Sequence, residues 1–177
     1  MTILDELNEF ADATSVANAA GTYVLGDVID LGKTTSYLGN TDAPIYAVVE
    51  CTTQMITGGT ASTIQFFLVS DSLATLGAAT VASCTTHATS LAIVTDDATA
   101  LGVGITAGTA TYLPNQASTV NSTGARKPIL LVQLPPGNYE RYLGVLYTVG
   151  AQTVTVGAVN AFLTKNPKLY TSLPDAI

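Results

Sequence analysis

Apolar residues recur at helical spacing only at the start of the chain. Ile3, Leu4, Leu7, Phe10 and Ala11 fall on one side of a 3.6-residue helix, and Asp5, Glu6, Glu9 and Asp12 on the other. The spacing predicts a short helix over residues 1–12. A free helix of that length is marginal in water, so it docks on its own domain or reaches a neighbouring subunit as an arm. Ile3, Leu7 and Phe10 are the expected arm anchors, and the small, polar residues 13–22 read as a hinge.

Downstream the pattern changes to alternation. Residues 24–31 predict a first body strand, with Val28 and Ile29 at its centre. Residues 45–52 follow Pro44 and put Ile45, Ala47, Val49 and Cys51 on one side. Residues 63–70 put Ile64, Phe66 and Leu68 on one face, and Gly58-Gly59 marks the turn between these two strands. Short strands are expected at 80–84 and 91–95, with a helical turn or a loop at 71–79. Residues 96–126 are rich in Gly, Ala, Thr and Asn and predict a long surface excursion, of the kind that is usually functional or mobile. Residues 129–134 are a continuous apolar run after Pro128, the mark of a strand covered on both faces. Pro135-Pro136-Gly137-Asn138 is a turn, 139–148 a strand, Gly150-Ala151-Gln152 a turn, and 153–164 the returning partner. In that last strand Val154 and Val156 share a side, and Val159, Ala161 and Leu163 keep the opposite parity. Gly157 sits at the change, which predicts a bulge or bend. About eight short strands with turns between them predict an all-β fold, a jelly-roll β-sandwich with a short N-terminal helical or extended arm. The expected division is an arm and hinge over 1–22 and a body over 23–177 with a long insertion near 96–126.

Composition narrows the partners. The 177 residues suit one domain and are 47% hydrophobic but only 11% charged. Disordered acidic chains are charge-rich and core-poor, so this is not one. The net charge of −7 argues against nucleic acid, because phosphate is held by clustered Lys and Arg, and only Arg126 and Lys127 are adjacent. There are 28 Thr against 6 Lys plus Arg. Such an exterior shows hydroxyls and methyls instead of charges: a surface covered by partners, or the uncharged skin of a secreted or virion protein. The acidic start Met1-Thr2-Ile3-Leu4-Asp5-Glu6 does not read as a secretory signal, and no run of about 18 apolar residues predicts a membrane span. Cys51 and Cys84 lack metal or redox spacing and read as small buried hydrophobes, bridged only if the fold brings them together.

Chemistry-bearing patterns are weak. His87 is the only histidine and lies in Thr-Thr-His-Ala-Thr, without the context of a serine triad; it reads as a surface residue. Asp96-Asp97 lacks the further spaced acids of a calcium loop. Gly102-Val103-Gly104 lacks the third glycine of a dinucleotide loop, and Asn121-Ser122-Thr123 matches a glycosylation acceptor only by pattern. No catalytic residue, metal or cofactor is therefore expected, and binding or structure is favoured over catalysis.

One stretch is familiar. Arg141-Tyr142-Leu143-Gly144-Val145-Leu146-Tyr147-Thr148, a glycine turn, then Thr153-Val154-Thr155-Val156-Gly157-Ala158-Val159-Asn160-Ala161-Phe162-Leu163 resembles the C-terminal signature of the Bordetella-phage-type capsid cement (decoration) proteins. Val28-Ile29-Asp30-Leu31-Gly32 is similar to that family's first body strand. The resemblance covers 24–84 and 127–165. It implies a structural virion protein, a jelly roll that forms a homodimer or homotrimer on the outer capsid surface. There it would cement a major capsid protein of the HK97-like fold, with no nucleic acid, membrane or cofactor as partner. Arg141 and Tyr142 join Ile3, Leu7 and Phe10 as expected partner-binding residues. Arg141, flanked by Tyr139 and Tyr142, would pair with Glu140 or with a carboxylate across the interface, or else lie solvated over the tyrosine rings. The alternative is a receptor- or carbohydrate-binding jelly-roll domain of a phage tail or fibre, using loop 96–126. A hydrolase built on Asp96 and Asp97 is a third reading.

Overall fold

The computed structural model describes residues 8–39, 44–58, 62–97 and 128–165. They form an all-β sandwich. Its first sheet contains β1 (Glu9–Ser15), β4 (Tyr46–Thr57), β8 (Asp96–Asp97), β9 (Pro128–Gln133) and β11 (Val154–Thr164). Its second contains β2 (Gly21–Val24), β3 (Ile29–Leu38), β5 (Thr63–Asp71), β6 (Thr85–Thr89), β7 (Ile93–Val94) and β10 (Gly137–Val149). In the first sheet β11 lies between β1 and β4, and β4 carries β9 and β8 on its other side. In the second, β10 lies between β5 and the pair β2 and β3, and β5 carries β6 and β7. All pairings are antiparallel except the short contact of β8 with the end of β4.

Register explains the core. Val159 lies opposite Cys51, Ala161 opposite Val49 and Leu163 opposite Ala47. In the other sheet Val145 meets Leu68, Tyr147 meets Phe66 and Val149 meets Ile64. Because side chains alternate along a strand, these residues line the two inner faces, and all but the half-buried Leu163 are fully enclosed in one cluster. Each such aliphatic or aromatic burial contributes roughly 1.5–3 kcal/mol. Gly157, with φ +154, lies among three register shifts of β11, so the expected bulge is present. The first of these shifts, between Val154 and Val156, moves Val156 off the face of Val154: Val154 is buried and Val156 exposed.

The N-terminal expectation is corrected. Residues 9–15 are a strand paired with β11, not the end of a helix. Phe10 is 1% exposed inside the chain's own core, so it anchors its own domain and not an arm on a neighbour. Two register shifts in β1 let Phe10 and Ala11 both face inward, which imitates helical spacing in the sequence. Ile3 and Leu7 lie outside the described residues. The hinge expected at 13–22 is instead bonded into the body. The amide of Val16 donates to the Gly157 carbonyl at 3.0 Å, the Val154 amide to the Asn18 carbonyl at 2.9 Å, and Asn18 Nδ2 to the Tyr147 hydroxyl at 2.6 Å.

Other boundaries shift for local reasons. The strand expected at 24–31 divides at 25–28. There the Asp27 amide donates to the Phe10 carbonyl at 2.6 Å, and a Cβ on Gly26 (φ +60) would collide with that same oxygen. Residues 81–83 form a 3-10 turn, not a strand, and 85–89 are a strand that the uniform Thr content hid. Among the described residues strand β9 pairs only with β4, and Leu131 is 49% exposed, so this run is not covered on both faces. Of the expected excursion, Asp96–Asp97 is β8 and the rest lies outside the described residues.

Between β5 and β6, residues 72–84 cross the outer face of the second sheet. They carry one helical turn, Leu76–Ala79, whose four residues all have positive φ. Leu76 is fully buried against Val69 and Leu146, in a second, smaller cluster. It fits because position 144 is glycine; a Cβ there would collide with Leu76 Cδ1.

Candidate functional site

The residues singled out in the last hairpin occupy one end of the second sheet. Register slips between Glu140 and Tyr142 where β10 meets β3: β3 has four residues, 31–34, between the partners Asp30 and Thr35 where β10 has Arg141 alone, so the extra residues are on β3, and Arg141 is exposed. Its guanidinium grips Asp30 with two parallel bonds, Nε to Oδ1 at 3.0 Å and Nη2 to Oδ2 at 2.8 Å. Asp30 also accepts the Gly32 amide at 2.8 Å. The Arg141 bond, then the Gly32 amide, holds the Asp30 carboxyl below its ordinary value, and Asp30 in turn raises the guanidinium. Arg141 thus pairs with Asp30, a carboxylate of its own chain, and not with Glu140. Its charge lies 5.0 Å from the Tyr142 ring centroid, as the expectation of an arginine over tyrosine rings had it. Tyr142 is half-buried and packs against the Val69, Leu76 and Leu146 cluster.

A second constellation was not foreseen. Ser70 of β5, His87 of β6 and Tyr139 of β10 meet at the same end. Ser70 Oγ and His87 Nε2 are 2.8 Å apart, and Ser70 Oγ accepts the Glu140 amide at 3.1 Å. The imidazole stacks on the Tyr139 ring with centroids 3.8 Å apart. Thr85 Oγ1 donates to Glu140 Oε1 at 2.8 Å, and the Tyr139 hydroxyl to the Pro135 carbonyl at 2.8 Å. Burial depresses the His87 pKa more than nearby Glu140 raises it, which favours a neutral ring, whose tautomer sets which way the Ser70–His87 bond runs. Burial pushes the Tyr139 hydroxyl up to about 12. His87 is therefore half-buried and bonded, not a surface residue. The pair looks like a nucleophile and its base, but Ser70 is 0% exposed and its oxygen already accepts a backbone amide. The contact ties three strands together and presents no nucleophile to solvent.

Neither cysteine is bridged: Cys51 is in the main core and Cys84 is half-buried beside Asp71. Among the described residues no group of three or more His, Cys, Asp or Glu is placed to hold a metal. No helix there is long and apolar enough to cross a membrane. Alternation places Val48 and Phe162, both buried, on the outer side of the first sheet in register with the exposed Leu131. The outer surface also shows Tyr37 and Leu73, 60% and 61% exposed.

Arg141 and Tyr142 stand out in the sequence, whereas Asp30 as the partner of Arg141 and the grouping of Ser70, His87 and Tyr139 do not. The members of both lie far apart in the chain, and only strand register joins them. No protein-family model matches the chain, and a comparison with curated proteins returns no match.

Proposed function

We propose that this protein is a structural component of a tailed-phage virion. It binds the outer capsid surface as a homo-oligomer and cements major capsid protein subunits of the HK97-like fold. The observation that carries the reading is the position of the last hairpin. The residues that resemble the cement-protein signature form β10 and β11, the strands on which both sheets are built. The jelly-roll form is supported by strand order. With β2 and β3 counted as one strand, β6 and β7 as one, and β8 set aside, the first strand pairs with the last and the second with the last but one. The acidic charge suits a position away from DNA. Exposed Leu131, Tyr37 and Leu73 offer apolar contacts. Copies on a lattice gain affinity through effective concentration, so each contact need only be weak.

The test is the native mass of the purified protein, followed by co-sedimentation with empty tailed-phage heads. A dimer or trimer that pellets with heads is expected. A monomer that stays in the supernatant overturns the reading, and a glycan-array signal without head binding would favour the receptor-binding alternative.

A further inference from the structure

We propose that residues 72–84 are a strap that opens as a unit and uncovers an apolar patch on the outer face of the second sheet. The inference is independent of the capsid reading and stands on three observations. The first is backbone conformation. Leu76, Gly77, Ala78 and Ala79 have φ of 45°, 60°, 54° and 58°, a run of left-handed residues of which only one is glycine. L-residues disfavour this region because Cβ crowds the following carbonyl.

The second is how the strap is held. Among the described residues, no hydrogen bond joins residues 74–83 to either sheet. Their bonds are local: the Leu76 amide to the Leu73 carbonyl at 3.1 Å, Ala79 to Thr75 at 3.3 Å and Ser83 to Thr80 at 3.0 Å. What seats the segment is apolar contact, with Leu76 its only fully buried residue and Ala79 and Val81 in partial contact. The two ends are clasped by one carboxylate. Asp71 Oδ1 accepts the Leu73 amide and the Ser72 hydroxyl, both at 3.2 Å, and Oδ2 faces Cys84 Sγ at 3.9 Å. Asp71 is thus a common hinge post.

The third is what lies beneath. Val69 and Leu146 are fully buried, with Gly144 between them as the seat of Leu76. Strained backbone, no bond from residues 74–83 to the sheets and one apolar anchor are the marks of a segment that opens at low cost once the ends pivot at Asp71. Opening would bare Val69 and Leu146, flanked by Val24, Val28, Phe67 and Tyr142.

Cys84 reports the motion. In the closed form burial first, then Asp71, pushes its thiol up to about 11, which leaves little thiolate. Opening removes the burial, so alkylation at pH 8 should run through the open form. Fully buried Cys51 serves as the standard for global unfolding. Exposed Ala78 is the cleanest probe of strain. Ala78→Gly should slow Cys84 labelling roughly threefold to tenfold, because only glycine takes the left-handed conformation freely. Leu76→Ala should speed it at least about tenfold with Cys51 unchanged. If Leu76→Ala also exposes Cys51, the Ala78→Gly result decides alone. Labelling of Ala78→Gly at or above the wild-type rate overturns the proposal.

Discussion

The two faces of the second sheet are built from the same strands and differ in how they are closed. Alternate residues of β5 and β10 point inward as Phe66, Leu68, Leu143 and Val145 and outward as Val69, Gly144 and Leu146. The inward set is closed by the other sheet, whose strands are held by ladders of long-range hydrogen bonds. The outward set is closed by the stretch of chain that follows β5, seated without a ladder. One face is locked by topology and the other is covered by a neighbour in sequence. Burial alone does not separate them, since Phe66 and Leu76 are both 0% exposed. The difference lies in which backbone must move before water enters.

Substitutions on the two faces should differ in cost. Phe66→Ala should produce the largest effect, a loss of about 3–5 kcal/mol read as a fall in the denaturant midpoint, because the inner face cannot collapse around the void. Phe10→Ala should behave likewise, as a core change. Gly144→Ala should cost less, roughly 1–3 kcal/mol, because the new methyl can expel Leu76 and the strap without disturbing the ladders. Equal losses at Phe66 and Gly144 would erase the distinction.

Acidification should act on the end where the faces meet. His87 titrates below its ordinary value of 6.5 in the folded state, so the unfolded chain binds the proton more readily. Its contribution is complete above 6.5 and is lost as pH falls toward the lower folded value. Thermal midpoints between pH 7 and 5 should fall, and His87→Gln should flatten that slope. The smallest effect belongs to Arg141→Ala. Its ion pair with Asp30 is nearly half-exposed on both sides, so the melting temperature should barely move, and what remains should vanish in high salt.

Much of the sandwich could be read from the chain because its long strands alternate cleanly. Phe66 and Leu68, or Val159 and Ala161, declare an inner face by spacing alone. Phe10 and Ala11 misled because two adjacent inward residues, which suit a helix, are also produced by a strand with register shifts, and only pairing with β11 decides between them. Strand β6 was hidden because Thr85, Thr86 and Thr89 are polar on every side and His87 interrupts the register. The candidate site was half legible. Arg141 stood out as the one cation between tyrosines, but Asp30 is 111 residues away. Ser70, His87 and Tyr139 have no common motif, and a register fixed elsewhere brings them together.

The placement of β10 and β11 has a consequence for biogenesis. Both leave the ribosome after β1 to β9, yet among the described residues β1, β2 and β3 pair with nothing else, and β4 and β5 make their longest ladders with them. Until they emerge, the only native strand contacts available among the described residues are those of β5 with β6 and β7 and of β4 with β8 and β9. The nascent polypeptide must therefore wait, largely unpaired, and assemble in a late, slow step dominated by distant contacts, during which chaperone protection matters most.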